Sequence, residues 1–280
     1  MFRGAFTIWG RDMRVLRRSL FSELLAVVAY PITLYLAFGV GLKGYISNVD
    51  GIPYALFIAP GLISMTAVSA AFDESAWSMW FHRKVQHTIE EYRVNPITVY
   101  DIIIGKIVSG FSQGAVKGVV VAVVIFLLTP FRFPAGHLLV YLFFIASGSM
   151  IFSCIGTICG TIVDKPENIG RIQSVVIVPL IFLSGIFFPL SSYPPAALAV
   201  VQLLPTTAIF EGARLALLQG VMDFRYFSIV VVTSALAFAA GVWIFNRKID
   251  YPQAPPVFLS LVFLYLTCSR GPRLCTGRAT

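Results

Sequence analysis

The stretch DESAWSMWFHRKVQHTIEEYRVNPITVYDIIIGK, residues 73–106, is the one sizeable polar segment between the long apolar runs of this 280-residue chain. Large apolar side chains recur in it every third or fourth position, and charged or amide side chains take the rest of the circumference. The apolar positions are Trp77, Phe81, Val85, Ile89 and Tyr92. The pattern predicts an amphipathic helix that ends at Asn95-Pro96, because proline disfavours helical geometry in the residue before it.

The composition around this segment is that of a membrane protein. Hydrophobic residues make up 58% of the chain and charged residues only 12%, with a mean hydropathy of +0.84, whereas globular domains carry about 25% charged residues. An apolar run of about 18 residues or more is long enough to cross a hydrocarbon core as a helix. Such runs predict an all-α integral membrane protein with six spans, at 24–42, 54–72, 102–128, 138–163, 172–188 and 227–245.

The distribution of Lys and Arg predicts which side of the membrane each loop occupies. Thirteen Lys and Arg flank one set of span ends and four flank the other, and cytoplasmic loops carry such an excess. Both termini and the polar coupling segment at 73–101 are therefore predicted to be cytoplasmic. The net charge of +8 does not indicate a nucleic-acid partner, because the cations lie at membrane borders rather than on one face.

The first 22 residues have a pattern of their own. Apolar side chains recur at spacings of three and four, and the arginines between positions 11 and 18 fall largely off this stripe. The stripe consists of Phe6, Trp9, Met13, Leu16 and Leu20. It predicts a helix along the cytoplasmic interface before the chain turns into the bilayer; a plain positively charged anchor is the simpler alternative. Residues 23–248 then form the six-span domain, and residues 249–280 indicate no function.

The third predicted span carries small residues on one face and a single charge. Gly110, Gly114 and Gly118 are four residues apart, a spacing that lets a neighbouring helix backbone approach closely. Lys117 lies near the middle of the same span, where a charge is costly and indicates a functional site by default. Lys117 either faces the path of an anionic substrate, or it snorkels or faces a polar crevice.

Residues 179–220 depart from the pattern of simple spans. Two apolar pieces, 195–204 and 208–218, are separated by a proline, and each covers only about 15 Å as helix, half of the hydrocarbon thickness. We expect them to form short half-helices on the outer side of the membrane. Glu211 and Arg214 are three residues apart, and we expect a pair at the exposed outer rim, where it contributes little to stability.

Together these features resemble one known family. The amphipathic entry helix, the six spans, the polar helix after the second span, SGIFFP at 184–189 and PTTAIFEGAR at 205–214 are similar to the membrane subunit of type-2 ABC exporters. This resemblance covers residues 1–248. More narrowly, APG at 59–61 and SAAFDES at 69–75 resemble the bacterial lipo-oligosaccharide and polysaccharide export branch. The resemblance implies a dimeric, multi-pass permease of the bacterial inner membrane.

The resemblance also implies roles for particular residues. Coupling to a nucleotide-binding ATPase subunit would involve Trp77, Phe81, Arg83, Val85, Ile89 and Tyr92, and the N-terminal helix would brace that contact. The outer half-helices, within a gate region at 189–220, would gate the exit. The residues of the substrate path and the gate would be Lys117, inside the membrane, and Ser184, Gly185, Phe188, Pro189, Pro205, Glu211 and Arg214. The implied partners are the ATPase, a second copy or a related permease, and membrane lipids.

What the sequence lacks also indicates an external motor. No G-x-x-x-x-G-K-[ST] loop occurs, so we expect no cofactor or metal in this chain, with ATP and magnesium on the partner subunit. No Asp or Glu is predicted mid-span, where proton- or sodium-coupled carriers usually place one. No catalytic Ser/His/Asp or metal-ligating constellation appears, which argues against an enzyme.

These observations predict the permease subunit of an ATP-driven ABC exporter that works by alternating access. Such a permease needs a surface element through which force enters, which a channel or a self-contained carrier does not. The favoured cargo is an amphiphile, a lipid-linked oligosaccharide or polysaccharide. Amphiphilic drugs or lipids are the alternative substrates, and a non-transport membrane scaffold or a membrane-embedded enzyme is the alternative class of protein.

Overall fold

The computed structural model describes residues 3–248, apart from 43, 47, 50, 89–96 and 130–133. Within these residues the chain is helical except for turns and two short strands, β1 (Asn48–Val49) and β2 (Ile52–Pro53), which pair antiparallel. Six helical stretches of the described part are long and apolar enough to cross a membrane: Phe21–Val40, Tyr54–Lys84, Val99–Leu128, Gly136–Ile162, Pro166–Leu183 and Phe224–Phe245. The prediction of an all-α, six-span membrane protein is confirmed.

The helices follow one another along the chain with few connecting residues. The first four spans are formed by α1 (Arg3–Leu34), continued by the π-helical turns Tyr35–Val40, and by α2 (Tyr54–Lys84), α3 (Val99–Leu128) and α4 (Ala135–Ile162). The fifth span consists of α5 (Pro166–Ile172), a π-helical segment (Gln173–Ile177) and α6 (Val178–Leu183). After it come a 3₁₀ turn (Leu190–Ser192), α7 (Pro195–Val201), α8 (Pro205–Gln219) and the last span, α9 (Phe224–Lys248).

Helix α2 lies at the centre of the bundle. In its most apolar stretch 83% of the residues are buried, against 11–50% in the other spans, because α2 packs against α3, α4 and α8. A Cβ atom on Gly114 would lie 2.6 Å from the Ala67 carbonyl oxygen, and one on Gly118 would lie 2.6 Å from the Ala67 Cβ. A Cβ atom on Gly110 would likewise lie too close to the Ser75 side chain. The small-residue face of α3 therefore packs directly against α2.

The N-terminal helix differs from its prediction. Helix α1 is continuous over 32 residues, so no turn separates an interfacial helix at 1–22 from the first span, and that part of the prediction is wrong. A run of arginines does not interrupt helical hydrogen bonding, because long charged side chains have good helix propensity. The start of α1 packs on α3: Ala5 and Ile8 are buried, and a Cβ atom on Gly105 would lie 2.9 Å from atoms of both.

The polar segment is also divided differently. Helix α2 continues the second span to Lys84, and His87 just beyond it has a left-handed backbone with φ of 51°, which helices do not contain. A single amphipathic helix over 77–92 is therefore wrong. The prediction ended the second span where the charged residues begin, although charged residues alone do not end a helix. Ile89 and Tyr92 lie outside the described residues, and so does the predicted helix end.

Two further helix boundaries show how local chemistry sets them. The predicted cap of the third span is confirmed: Thr98 Oγ1 accepts from the Asp101 backbone N–H at 3.2 Å, and Asp101 Oδ2 accepts from the Thr98 N–H at 3.2 Å. The fifth span runs over Pro166–Leu183 rather than 172–188. It ends early because Gly185 adopts a left-handed φ of 82°.

Two short helices follow the fifth span, as the sequence predicts. Helices α7 and α8 meet at an angle of 91°, and each begins with a proline at its first position. Proline fits there because the first turn of a helix leaves its N–H groups without intrahelical partners. The two predicted short helices are thus confirmed, with α8 longer than expected, and their location on the outer side stays a prediction.

Candidate functional site

Three helices meet through buried and half-buried polar side chains at the end of the bundle where α1 and α3 begin and α2 ends, the predicted cytoplasmic end. This set, called the joint, consists of Arg11 and Asp12 of α1, Ser78 and His82 of α2, and Lys106 of α3. Lys106 Nζ donates to Asp12 Oδ2 at 2.8 Å and to Ser78 Oγ at 2.6 Å. The Lys106 side chain is 1% exposed. The joint therefore ties the start of α3 to both neighbouring helices.

Two cations share one carboxylate in the joint. Arg11 Nη2 lies 3.1 Å from Asp12 Oδ1 and 2.5 Å from His82 Nε2. Arginine only donates, so His82 Nε2 faces a donor from Arg11, while His82 Nδ1 lies 2.5 Å from the Ser78 carbonyl oxygen and 2.9 Å from Lys106 Nζ. Burial alone would raise the pKa of Asp12, but Lys106 and Arg11 outweigh it and lower the pKa below its ordinary value. Asp12 is thus an anion that holds cations from two helices.

The predicted coupling residues do not share one surface. Trp77 and Phe81 lie one turn apart at the end of α2, 43% and 41% exposed, and Val85 in the following turn is 50% exposed. Arg83 instead faces a neighbouring turn, where it lies 3.6 Å from Asp164, just after α4. Arg83 therefore fastens the end of α2 to the end of α4. Trp77, Phe81 and Val85 remain as an apolar exposed patch beside the joint.

A second set of side chains, four charged and one amide, lies within the spans. This charge cluster consists of Glu23, Asp73, Glu74, Lys117 and Gln173. Lys117 is 5% exposed, and its ammonium pairs with Glu23 Oε2 at 3.0 Å and with Glu74 Oε1. Gln173 Nε2 donates to Asp73 Oδ2 at 2.7 Å. Lys117 therefore faces a polar crevice of the protein rather than lipid.

The charge cluster corrects one expectation about the membrane interior. The sequence predicted no Asp or Glu mid-span, because the second span was expected to end at residue 72. Since α2 continues as one helix well beyond that position, Asp73 and Glu74 both lie inside the second span. The lysine of the third span is consequently one member of an ionic network, where the sequence pattern showed an isolated charge.

A cavity of about 440 Å³ adjoins the charge cluster. Its polar end is lined by Asp73, Glu74, Lys117 and Gln173. Its remaining walls come from α1, α2 and the fifth span and are mainly apolar, including Ala26, Val27, Tyr30, Leu34, Met65 and Val178. The volume falls within the roughly 300–1,000 Å³ of small-molecule sites. A cavity that is charged at one end and apolar elsewhere matches the shape of an amphiphile.

A third polar set closes the opposite, predicted outer end. This latch consists of Phe57, Gly185, Ile186, Glu211 and Arg214. Arg214 Nη1 donates to Glu211 Oε1 at 2.6 Å, and Nη2 donates to the carbonyls of Gly185 and Ile186, the latter at 3.2 Å. The guanidinium lies 3.8 Å from the centre of the Phe57 ring. Arg214 thus connects α8 to the turn that ends the fifth span and to the start of α2.

The latch corrects the expectation of an exposed pair. Glu211 is 9% exposed and Arg214 is 5% exposed, because α8 packs against α2 and α4 instead of lying at the surface. Removing one member of a buried pair is costly, whereas an exposed pair contributes little. The spacing of the two residues predicted their contact, and the burial came from the tertiary packing of α8.

The other predicted gate residues lie around the latch. Ser184 Oγ donates to Thr206 Oγ1 at 2.5 Å, which adds a second connection between the fifth span and α8. A Cβ atom on Gly185 would lie 3.1 Å from Glu211 Oε1, so the turn needs glycine for space as well as for its positive φ. Phe188 is 58% exposed. Pro189 precedes the 3₁₀ turn, and Pro205 begins α8.

Comparison with known proteins agrees with this architecture. Residues 4–218 match the family described as ABC-2 type transporter. The chain is 27% identical over 209 residues to the inner membrane transport permease YadH of Escherichia coli K12, covering 74% of this chain and 80% of YadH. It is 25% identical over 244 residues to nodulation protein J of Bradyrhizobium diazoefficiens, covering 86% and 92% of the two chains. This multi-pass protein of the inner membrane belongs to the ABC-2 type transporter family of membrane permeases.

Proposed function

We propose that this chain is the permease subunit of an ATP-driven exporter and that a separate ATPase subunit acts on the exposed patch. Members of this family normally work with an ATPase subunit. The observation that carries the proposal is the joint beside the patch. His82 follows Phe81 directly, and its ring contacts Arg11 of α1 and Lys106 of α3. A displacement of the end of α2 therefore reaches two further spans through buried contacts.

The transport path would run from the cavity to the latch. The cavity lies between α1, α2, α3 and the fifth span, and the latch joins the fifth span to α8 at the predicted outer end. In an alternating-access cycle, substrate would enter the cavity while the latch is intact and leave after the latch opens. The exposed patch would then lie on the cytoplasmic side, as the distribution of Lys and Arg predicts.

The functional unit would contain two permeases, either two copies of this chain or this chain with a related one. The most apolar stretches of the first, fifth and last spans are only 17%, 17% and 11% buried within the chain. Their apolar surface is available to a second permease as well as to lipid. Native mass spectrometry of the purified protein, alone and with its ATPase, measures the number of permease chains per complex.

The favoured substrate is a lipid-linked oligosaccharide or polysaccharide, because the segments at 59–61 and 69–75 resemble that export branch. A second candidate is an amphiphilic drug or lipid. It is favoured by the charge cluster, because carboxylates at the polar end of the cavity disfavour a lipid carrier that ends in phosphates. Transport of both substrate types into proteoliposomes compares the two candidates directly.

The contact with the ATPase is tested by a charge placed in the exposed patch. In proteoliposomes containing the permease, its ATPase and ATP, Phe81→Arg should lower transport about tenfold or more, the effect of losing one apolar anchor of an interface. The matched control is Tyr45→Arg, because Tyr45 is a 90% exposed aromatic residue at the predicted outer end. Wild-type transport by Phe81→Arg, or failure of the permease to bind any ATPase subunit, would contradict the proposal.

A further inference from the structure

We propose that the cavity beside the charge cluster binds a protonated amine carried by an amphiphilic substrate. This inference rests on the proposed function, export of an amphiphile, and names the chemical group that the site would select. The amine would be carried either by an alkyl chain or by an amino sugar attached to a lipid. Both sources present the same positively charged hydrogen-bond donor to the protein.

The charges around the cavity favour a cationic ligand. Among the described residues, two carboxylates, Asp73 and Glu74, line the cavity beside one ammonium, Lys117. A third carboxylate, Glu23, does not line the cavity but pairs with Lys117. In the low-dielectric interior of a membrane protein such an excess of negative charge is costly unless a cation or protons compensate it. A positively charged substrate group would supply the missing charge, whereas an anionic group would be repelled.

The cluster already holds one ammonium group, which shows that its geometry suits this ligand. Lys117 Nζ sits between Glu23 and Glu74, as the amine of a ligand would. Asp73 is in a different situation: Gln173 donates to its Oδ2, while its shielded Oδ1 has no hydrogen-bond donor among the described residues. A buried acceptor without a donor is unfavourable. A substrate amine that reaches Asp73 would provide that donor.

The shape of the cavity favours an organic cation over a metal ion. No group of three or more His, Cys, Asp or Glu side chains converges on a metal-sized site in the described part of the chain. The apolar walls of the cavity contributed by α1 include the half-exposed ring of Tyr30. Apolar and aromatic walls contribute to the binding of an alkyl chain or a sugar ring, and they contribute nothing to a hydrated inorganic ion.

The inference is tested by equilibrium binding to the purified permease in nanodiscs of uncharged lipid, without ATPase. The ligands form two matched pairs: dodecylamine with N-acetyl-dodecylamine, and octyl glucosaminide with its N-acetyl derivative. Displacement of the fluorescent cation rhodamine 6G reports binding of each. We expect the wild type to prefer at least one free amine over its acetylated partner by about tenfold, because acetylation removes the charge. The pair that shows the preference identifies the source of the amine.

Two variants separate charge recognition from folding. Asp73→Asn should weaken amine binding about tenfold, whereas Lys117→Met should strengthen it, because the internal ammonium no longer competes for Glu23 and Glu74. A merely structural role predicts weaker binding for both. If Lys117→Met does not fold, it is combined with Glu74→Gln. This double variant is compared with Glu74→Gln alone, and it should bind the amine more tightly. The control is Glu167→Gln, at an exposed carboxylate of α5, which should bind as the wild type does.

Equal binding of each amine and its acetylated partner by the wild type would overturn the inference, as would unchanged binding by Asp73→Asn. The assay contains neither ATPase nor ATP, so its failure is distinguishable from failure of the proposed function. If amines do not bind while ATP-driven export is observed, only the substrate class is wrong. If amines bind but ATP drives no export, the site is supported and the exporter proposal is wrong.

Discussion

Helix α3 carries two buried lysines in opposite surroundings. Lys106 shares Asp12 with Arg11, so the joint holds more cations than carboxylates. Lys117 shares Glu23 and Glu74, so the charge cluster holds more carboxylates than cations. Asp12 is 6% exposed, whereas Glu23 and Glu74 are 32% and 27% exposed. The pair of Lys106 and Asp12 is thus buried on both sides, whereas the carboxylates that hold Lys117 are partly exposed, and Glu74 lines the cavity of about 440 Å³.

The two surroundings suit the same residue type on one helix to two different roles. A shielded ion pair with additional hydrogen bonds fixes the relative position of the helices it joins, because breaking it leaves a charge without compensation. In a partly exposed pair beside a cavity, a charged ligand can replace one of the two side chains. Water or protons compensate the charge of the other side chain until the ligand binds. We therefore propose that Lys106 transmits force and that Lys117 belongs to the binding region.

The largest expected effect is that of Lys106→Met. It leaves Asp12 buried beside a single cation and removes the connection between α1 and α3, so the free energy of unfolding should fall by about 3–5 kcal/mol. Denaturant unfolding of the purified permease in detergent measures it. The double variant Lys106→Met/Asp12→Asn removes both charges and should recover part of the loss. A Lys106→Met protein as stable as the wild type would remove the distinction between the two lysines.

A smaller effect is expected for Lys117→Met. Its carboxylate partners, Glu23 and Glu74, are 32% and 27% exposed, so water or protons can compensate them. The free energy of unfolding should therefore fall by only about 1–3 kcal/mol. The same denaturant unfolding measures this loss of stability. Lys117→Arg, which keeps the positive charge, is the control. A loss equal to or greater than that of Lys106→Met would contradict the assignment of Lys117 to an adaptable site.

The smallest effect concerns the acid dependence of the joint. Because the pKa of Asp12 is lowered in the folded protein, its contribution to stability is complete above the pKa of the unfolded chain, about 4. It is lost as the pH falls through the lower folded pKa. Unfolding midpoints measured between neutral pH and about pH 3 should fall less steeply for Asp12→Asn than for the wild type. Parallel curves for the two proteins would show that Asp12 is not held as an anion.

Features encoded locally in the sequence were predictable. The six spans follow from apolar runs, the cap formed by Thr98 and Asp101 from a short motif, and α7 and α8 from prolines between apolar pieces. The contact between Glu211 and Arg214 follows from their spacing on one helix. Each of these signals lies within a few residues, where helix geometry alone determines the neighbours.

Features that depend on distant pairs were not predictable. Lys106 and Asp12 are 94 residues apart, and Lys117 and Glu74 are 43 residues apart. The sequence shows each residue as a charge at a border or as an isolated charge, because nothing local says which helices will face each other. The lengths of α1 and α2 were missed for a related reason: charged residues indicate a membrane border, but helical hydrogen bonding continues through them.

ATP-driven transport by the reconstituted complex tests most directly the claim that force enters through the exposed patch and the joint. Proteoliposomes with permease, ATPase and ATP are compared for the wild type, Lys106→Met and Lys106→Met/Asp12→Asn, measuring substrate moved per ATP hydrolysed. Wild-type transport should require both ATPase and ATP. Each variant that folds and binds the ATPase should hydrolyse ATP but move much less substrate. Transport without the ATPase, or an unchanged ratio in both variants, would contradict this claim.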